Sequence, residues 1–149
     1  MKRLFISALA ICIWAFQLSA QVNIIPVPDK IEKGEGKFLI NKGTTLYTNE
    51  RSSANLDYFR SFLVPATGLN LDIQKVKPVS NSINLELDKE SGIAEEGYFL
   101  EITTTGVLIK GSSETGLFYG LVTLLQLLPP TVYSGRSTGH EEWSLPLLK

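Results

Sequence analysis

Pairs of carboxylates are the residues of this sequence whose type and spacing come nearest to a catalytic site. A glycosidase or another acid–base enzyme needs two acids that converge on one bond. Glu86 and Asp88 stand two residues apart, so they share one face of a strand. The opposite face carries Ile83, Leu85 and Leu87, which predicts that both acids point into solvent.

The other acid pairs and the single histidine indicate even less chemistry. Glu95-Glu96 and Glu141-Glu142 stand in turn-rich stretches, which predicts loops. His140, followed by two glutamates, begins like a zinc-binding helix motif, but the second histidine of that motif is missing. One Cys and one His in the whole chain cannot make a Cys/His metal site. We expect His140 to be an ordinary surface histidine.

Glycine and serine patterns point to packing rather than to catalysis. The stretch from Gly106 to Gly111 has too few glycines, wrongly spaced, for a phosphate-binding loop. Gly116 and Gly120 are four residues apart, and we expect them to let a helix approach the sheet closely. The serines show no nucleophile-elbow pattern. The sequence therefore predicts no catalytic, cofactor-binding or metal-ligating residue, and no cofactor.

The composition and the first residues limit the class of protein. The chain has 149 residues, 14 Lys+Arg against 15 Asp+Glu, and no basic cluster, so no nucleic-acid partner is expected. Residues 1–20 have a Lys2-Arg3 start, an apolar stretch from Leu4 to Leu18 and small residues at Ser19-Ala20, the layout of a secretory signal peptide. The apolar stretch, about 15 residues long, is shorter than the roughly 20 that span a bilayer.

Cleavage after Ala20 would leave a chain with different properties. Losing Lys2 and Arg3 leaves 12 basic against 15 acidic residues, a formal charge of −3. Cys12 is lost as well. Ile11 is too bulky for the small residue that a lipoprotein box needs before its cysteine, so no lipid anchor is expected. We expect a secreted or periplasmic protein, free of the membrane after cleavage, whose fold depends on a hydrophobic core.

Alternation with a period of two predicts the strands. Tyr98–Thr103 and Val107–Lys110 flank a two-residue turn, either Thr104-Thr105 or Thr105-Gly106, which makes a hairpin. Ile83–Asp88 alternates in the same way. Four shorter stretches complete the set of predicted strands: Asn23–Pro28, Lys37–Ile40, Thr44–Thr48 and Leu71–Val76.

Two helices follow from a change of period. The first begins at a Ser52 or Ser53 cap and ends near Ala66, before Gly68 and with Pro65 as a stop signal. The second runs from Glu114 to Leu128 after a Ser112 or Ser113 cap. Its apolar stripe consists of Leu117, Leu121, Leu124, Leu125 and Leu128. These elements predict an α+β fold, a mostly antiparallel open sheet with two helices packed on one face.

Three stretches, taken together, resemble one known family. Asn23–Pro28 opens the predicted mature chain, Gly97–Ile102 leads into the hairpin, and Gly116–Leu128 forms the last helix. Their order and spacing resemble the N-terminal accessory domain of family 20 glycoside hydrolases, the β-N-acetylhexosaminidases. Trp143-Ser144-Leu145-Pro146 fits the end of that domain. The resemblance covers nearly all of residues 21–149, and the helix motif is its most specific part.

The resemblance implies a zincin-like domain that packs against a following (β/α)8 barrel of the same parent chain. In that barrel an adjacent Asp-Glu pair hydrolyses terminal non-reducing β-linked N-acetylhexosamine from glycans by a substrate-assisted retaining mechanism. The acetamido oxygen of the sugar attacks, the Asp orients it, and the Glu acts as acid and then as base. The sequence stops at Lys149, before those residues, so we expect this fragment to be inactive and the glycan to be a substrate of its parent.

The last helix suggests how the barrel is held. No charged residue occurs from Thr115 through Gly135, and Phe118 and Val122 lie outside the stripe. We expect part of this helix, with Trp143 and Leu145–Leu148, to be the docking surface for the barrel.

Two other functions remain open. A free-standing secreted carbohydrate-binding or adhesion module would use exposed aromatic rings on which sugars stack. Tyr47, Phe99 and Tyr133 are the candidates, with the face of Phe99 undecided. A secreted scaffold without a ligand is the third reading that the composition allows.

Overall fold

The structure is a computed structural model that describes residues 24–51, 53–137, 139 and 141–149. The predicted signal peptide, Asn23, the Ser52 cap and His140 lie outside these residues. Within them, seven strands form one sheet, covered by two α-helices and a short 3₁₀ helix. The strands are β1 (Lys33–Leu39), β2 (Thr45–Thr48), β3 (Ile73–Gln74), β4 (Ser82–Leu87), β5 (Tyr98–Thr103), β6 (Gly106–Gly111) and β7 (Ser144–Leu148). The helices are α1 (Ala54–Thr67), α2 (Glu114–Leu127) and the 3₁₀ helix Pro130–Ser134.

The sheet is mixed, with the order β1-β7-β5-β6-β4-β2-β3. β5 pairs antiparallel with β6 and β7, and β1 pairs antiparallel with β7, whereas β2, β3, β4 and β6 form parallel pairs. The predicted α+β architecture is confirmed, but the mostly antiparallel sheet is corrected to a mixed one. Residue alternation reports which face a side chain occupies and not which way the strand runs. Helix α1 returns the chain to the same end of the sheet, so the strands before and after it run parallel.

The β5–β6 hairpin has the predicted register. Its turn is Thr104-Thr105, and Leu100 pairs with Ile109 while Ile102 pairs with Val107. Ile102, Val107 and Ile109 are almost fully buried in the core between the sheet and the helices. Phe99 therefore lies on the opposite, open face of the sheet, because neighbouring residues of a strand alternate.

Helix α1 buries the stripe that its period predicts. Leu56, Phe59 and Leu63 have no exposed surface. The helix runs through Pro65 to Thr67, so Pro65 does not stop it; a proline in the last turn removes only one hydrogen bond. Gly68, with a φ of 71°, takes the left-handed conformation that ends the helix.

Helix α2 lies unusually close to the sheet. The Ser113 hydroxyl accepts a hydrogen bond from the backbone N–H of Gly116 at 3.0 Å and so caps the helix. A Cβ on Gly116 would stand 2.3 Å from the carbonyl oxygen of Gly97, and one on Gly120 would stand 2.4 Å from Cγ2 of Ile109. Close helix–sheet packing is thus confirmed as the use of these two glycines. The predicted stripe, Leu117, Leu121, Leu124, Leu125 and Leu128, is at most 3% exposed.

The two ends of the described chain differ most from the predictions. The C-terminal stretch is strand β7, inserted between β1 and β5. Leu145 is fully buried and Trp143 is 8% exposed, so the prediction that they belong to a docking surface is wrong. The apolar tail that looks exposed in the sequence belongs to the hydrophobic core of the domain.

Residues 24–28 form an irregular segment instead of the predicted strand, and the strand predicted at residues 71–76 is reduced to β3. This N-terminal segment is held on α2, where the side chain of Gln126 exchanges two hydrogen bonds with the backbone of Ile25 at 2.9 and 3.0 Å. No helix among the described residues has the length and apolar character needed to cross a bilayer.

Candidate functional site on the helices

The two carboxylates whose spacing suggested acid–base chemistry each have a lysine partner. Glu86 lies on the sheet face opposite the helices, where its side chain is only 20% exposed and not directed freely into solvent as expected, and it forms an ion pair with Lys77. Asp88 lies 3.6 Å from the Nζ atom of Lys110. Each acid thus faces a separate cation, and the two do not converge on a shared site.

The loop acids do not form a site either. Glu95 and Glu96 are exposed. Glu141 accepts a hydrogen bond from the hydroxyl of Thr131, and Glu142 forms an exposed ion pair with Lys37. In the part of the chain that the structure describes, no three His, Cys, Asp or Glu side chains are grouped as metal ligands.

Glu50 is an acid that the sequence analysis did not single out. Its carboxylate accepts hydrogen bonds from Thr48 Oγ1 at 3.1 Å and from Asn55 Nδ2 at 3.0 Å, and Asn55 also donates to the backbone oxygen of Glu114 at 3.1 Å. Burial raises the pKa of Glu50, and the two hydrogen bonds oppose that shift. Glu50 therefore orients Asn55, which joins the beginnings of α1 and α2, and has a structural role.

The feature that does stand out is a cluster of aromatic rings on the outer side of the helices. Tyr58 lies 5.1 Å from Phe62 and 5.0 Å from Phe118, measured between ring centroids. Phe62 lies 5.7 Å from Tyr133 of the 3₁₀ helix, and Phe118 lies 5.9 Å from Tyr119. These are the spacings of favourable tilted and edge-to-face ring pairs. We call these five residues the aromatic surface.

The aromatic surface is open to solvent in this chain. Tyr58 is 37%, Tyr119 40% and Tyr133 53% exposed, while Phe62 and Phe118 are half-buried. Partial burial raises the pKa of the Tyr133 hydroxyl, with a smaller contribution from Tyr58. Monomeric proteins rarely leave adjoining apolar groups like these uncovered, and such surfaces usually mark an interface.

Helix α1 carries two charged residues, and they form an ion pair with each other. Asp57 and Arg60 on α1 lie 3.7 Å apart, and Arg60 also donates to the side chain of Asn70 at 2.9 Å. The stretch from Thr115 through Gly135 contributes no charge. The surface therefore fits an apolar partner better than a charged ligand.

Sequence reasoning found only part of this surface. Phe118 was recognised as apolar surface outside the stripe, and Tyr133 as an exposed aromatic. Tyr58 and Phe62 were missed, although their spacing of four residues places them together on one side of α1. Tyr58 meets Phe118 because α1 packs beside α2, and no local sequence pattern predicts that contact.

The aromatic residues of the open sheet face do not form a comparable cluster. Phe99 lies beneath the Nζ atom of Lys149, 5.7 Å from its ring centroid. Tyr47 stands on β2, separated from β5 by β4 and β6, which places it roughly 14 Å away across the sheet. A sugar-stacking platform built from Tyr47, Phe99 and Tyr133 is therefore not assembled by this fold.

The fold and its domain type match a known family. The family model for glycosyl hydrolase family 20, domain 2, matches residues 21–148. The chain belongs to this family. The resemblance stated from the sequence is thus confirmed for residues 21–148.

Relatives that share this family 20 domain include hexosaminidases and a lacto-N-biosidase of Bifidobacterium bifidum, which is 25% identical over 120 residues and matches 76% of this chain and 11% of that protein. The chain is 32% identical over 149 residues to a beta-hexosaminidase of Porphyromonas gingivalis, a match that covers 90% of this chain and 19% of that protein. The family 20 beta-N-acetylhexosaminidase of Streptomyces coelicolor has a TM-score of 0.75 at 32% identity, covering 83% of this chain and 25% of that one. The Streptomyces plicatus N-acetyl-beta-hexosaminidase, solved with thio-NAglucal, has a TM-score of 0.74 at 30% identity, covering 85% and 25%. This chain spans no more than a quarter of these relatives.

Proposed function

We propose that this chain is the non-catalytic N-terminal accessory domain of a secreted β-N-acetylhexosaminidase. The match of residues 21–148 to domain 2 carries the proposal, because the hexosaminidases that share the domain are far longer than this chain. In the parent enzyme, terminal non-reducing β-linked N-acetylhexosamine residues are hydrolysed in a following (β/α)8 barrel. The substrate-assisted, retaining mechanism uses the barrel's own carboxylates.

The acids of this domain support a non-catalytic role. A retaining glycosidase needs carboxyl groups about 5–5.5 Å apart, or one acid beside a substrate that supplies its own nucleophile. Glu86 and Asp88 are instead each paired with a lysine on the open sheet face. An acid committed to an ion pair is poorly placed to donate a proton to a glycosidic oxygen.

The aromatic surface is the part of this domain that we assign to the barrel. Its three tyrosine rings are 37–53% exposed, and each carries roughly 200 Å² of surface, so covering one removes on the order of 70–110 Å² from water. At about 25 cal/mol per Å², this corresponds to roughly 2 kcal/mol per ring before the entropy of docking is subtracted. Contact with several rings would therefore hold two domains together.

Hydrolysis of a nitrophenyl β-N-acetylglucosaminide by two proteins tests the proposed function. The full-length parent protein is expected to release nitrophenol, and residues 21–149 alone are expected to release none. Turnover by residues 21–149 would place the chemistry in this domain and contradict the proposal. A full-length protein that is folded and inactive on both the gluco and galacto substrates would contradict the proposed activity.

Thermal unfolding of the full-length protein tests the docking surface. Tyr119→Asp puts a charge into the aromatic surface and is expected to separate the unfolding of the two domains or to lower the melting temperature. Val79→Asp is the control, because Val79 is a fully exposed apolar residue in the loop between β3 and β4. Equal melting curves for both variants would show that the barrel does not contact Tyr119.

Secretion is tested at the N-terminus. We expect the mature protein to begin at Gln21 after removal of residues 1–20 by signal peptidase. Mass spectrometry of the N-terminal peptide from the periplasmic or extracellular fraction measures this directly. A mature N-terminus at Met1 would contradict a cleaved signal peptide.

A further inference from the structure

A cavity of about 590 Å³ lies between the N-terminal segment and the edge of β5. One wall is the N-terminal segment together with the residues that follow it as far as Glu32, and the other is Tyr98 to Leu100. Leu148 and Lys149 close one end. The volume is that of a small-ligand pocket. The two walls, however, are the chain segments on either side of the end of β7, which is where a longer β7 would run.

Strand β5 turns hydrogen-bonding backbone groups toward this cavity. In a hairpin with the two-residue turn Thr104-Thr105, the residues beside the turn form a hydrogen-bonded pair, and every second residue continues that pairing. The backbone groups of Phe99 and Glu101 are therefore hydrogen-bonded to β6. Tyr98 and Leu100 direct theirs to the other edge, where the described strands offer pairing only as far as Ile102.

Strand β7 is already paired in antiparallel register with this edge of β5. Leu148 pairs with Ile102 of β5. On the other side of β7, the backbone of Lys149 exchanges two hydrogen bonds with Glu32, at 2.6 and 2.8 Å. Backbone groups of successive residues point to alternate edges of a strand. The backbone groups of Leu148 therefore point to β5 and those of Lys149 point to Glu32, as in a strand with a neighbour on each side. The direction of β7 leads from Lys149 into the cavity.

We propose that in the full-length enzyme the residues that follow Lys149 fill this cavity as a continuation of β7. This inference rests on the proposed function, since it requires a parent chain longer than this one. In antiparallel register, the first residue after Lys149 stands opposite Leu100, and the third stands opposite Tyr98. Three residues of strand advance about 10 Å.

The continuation determines which side chain goes where. The first residue after Lys149 lies on the same side as Leu148, which is 6% exposed, so it faces the core beside Leu100 and is expected to be apolar. The accessory domain and the barrel are thereby joined by a strand of the sheet, which also fixes the N-terminal segment from its inner side. Such a joint is stiffer than a flexible linker.

A disulfide trap in the full-length enzyme tests the register. Cysteines replace Leu100 and the first residue after Lys149 in one variant, whereas the control pairs Leu100→Cys with the second residue after Lys149. Hydrogen-bonded neighbours have Cα atoms about 5.5 Å apart, within disulfide range, but side chains one position further point to the opposite face. We expect the disulfide in the first variant only, read by peptide mapping without reductant.

Amide hydrogen exchange on the unmodified full-length enzyme gives a second readout that needs no variant. The N–H of Leu100 is expected to exchange as slowly as that of Phe99, which is bonded to β6. Exchange at Leu100 at least about 100-fold faster, a disulfide in the control variant only, or a mature protein whose last residue is Lys149 overturns the inference. Nitrophenyl glycoside hydrolysis, measured alongside, separates this from the proposed function. Activity with a fast Leu100 amide refutes only the strand, and a protected amide without activity refutes only the enzyme.

Discussion

Replacing Gly116 by alanine is expected to loosen the core, because helix α2 touches the backbone of the segment that leads into β5 at this point. The added Cβ would stand 2.3 Å from the carbonyl oxygen of Gly97 and 3.3 Å from that of Glu95. An ordinary contact between a carbon and an oxygen is about 3.3 Å. The helix must therefore withdraw by roughly 1 Å, since the opposing atom is backbone and not a side chain that can rotate away.

The magnitude follows from two opposing effects. Alanine favours the helical state over glycine by about 1 kcal/mol, which stabilises the variant. Displacing α2 disturbs Leu117, Leu121 and Leu124, all fully buried, and overpacking of this kind costs about 1–3 kcal/mol or more when backbone is involved. We expect a net loss of about 1–2 kcal/mol and a melting temperature lower by roughly 5 °C.

Thermal unfolding followed by circular dichroism measures the change, with Thr115→Ala as the matched control. Thr115 is the exposed neighbour of Gly116 on the same helix, so its replacement gains helix propensity without a steric conflict. The control should melt at or above the wild-type temperature. If Gly116→Ala melted as high as Thr115→Ala, the helix would not be in contact with Gly97 and the account of its docking would be wrong.

Two further substitutions test the polar contacts of the core. Glu50→Gln is expected to raise the free energy of unfolding at pH 7 and to change it little well below pH 4.5, because burial raises the pKa of Glu50. The stability that neutral Glu50 provides is complete below the unfolded-state pKa and is lost as pH rises through the folded-state pKa. Urea titrations at both pH values measure the free energy of unfolding. An unchanged or lower free energy of unfolding for the variant at pH 7 would contradict the reasoning. Thr123→Val removes the hydrogen bond between Thr123 Oγ1 and the Tyr98 hydroxyl, 2.6 Å apart, and should lower the free energy of unfolding by about 1 kcal/mol. The same change at exposed Thr115 is the control, and equal losses at both positions would mean that the hydrogen bond contributes nothing.

Local pattern was sufficient where one face of an element is buried by a single neighbour. The stripes of α1 and α2, the faces of the β5–β6 hairpin and the tight approach at Gly116 and Gly120 follow from residue spacing, because each depends on a period of 2 or 3.6. Pattern was insufficient where the neighbours of an element are distant in the chain. Trp143 and Leu145 look like exposed apolar surface in the sequence, yet both are buried in the hydrophobic core, and β7 lies between β1 and β5.

The sequence by itself determined the family of this domain and its α+β class. These properties depend on short-range order, namely which residue types recur at which spacing. Only the tertiary structure decided strand direction, the place of β7 inside the sheet and the assembly of the aromatic surface. Tyr58 and Phe118 lie far apart in the chain and meet because two helices pack side by side on one sheet, and such a contact has no period to be read.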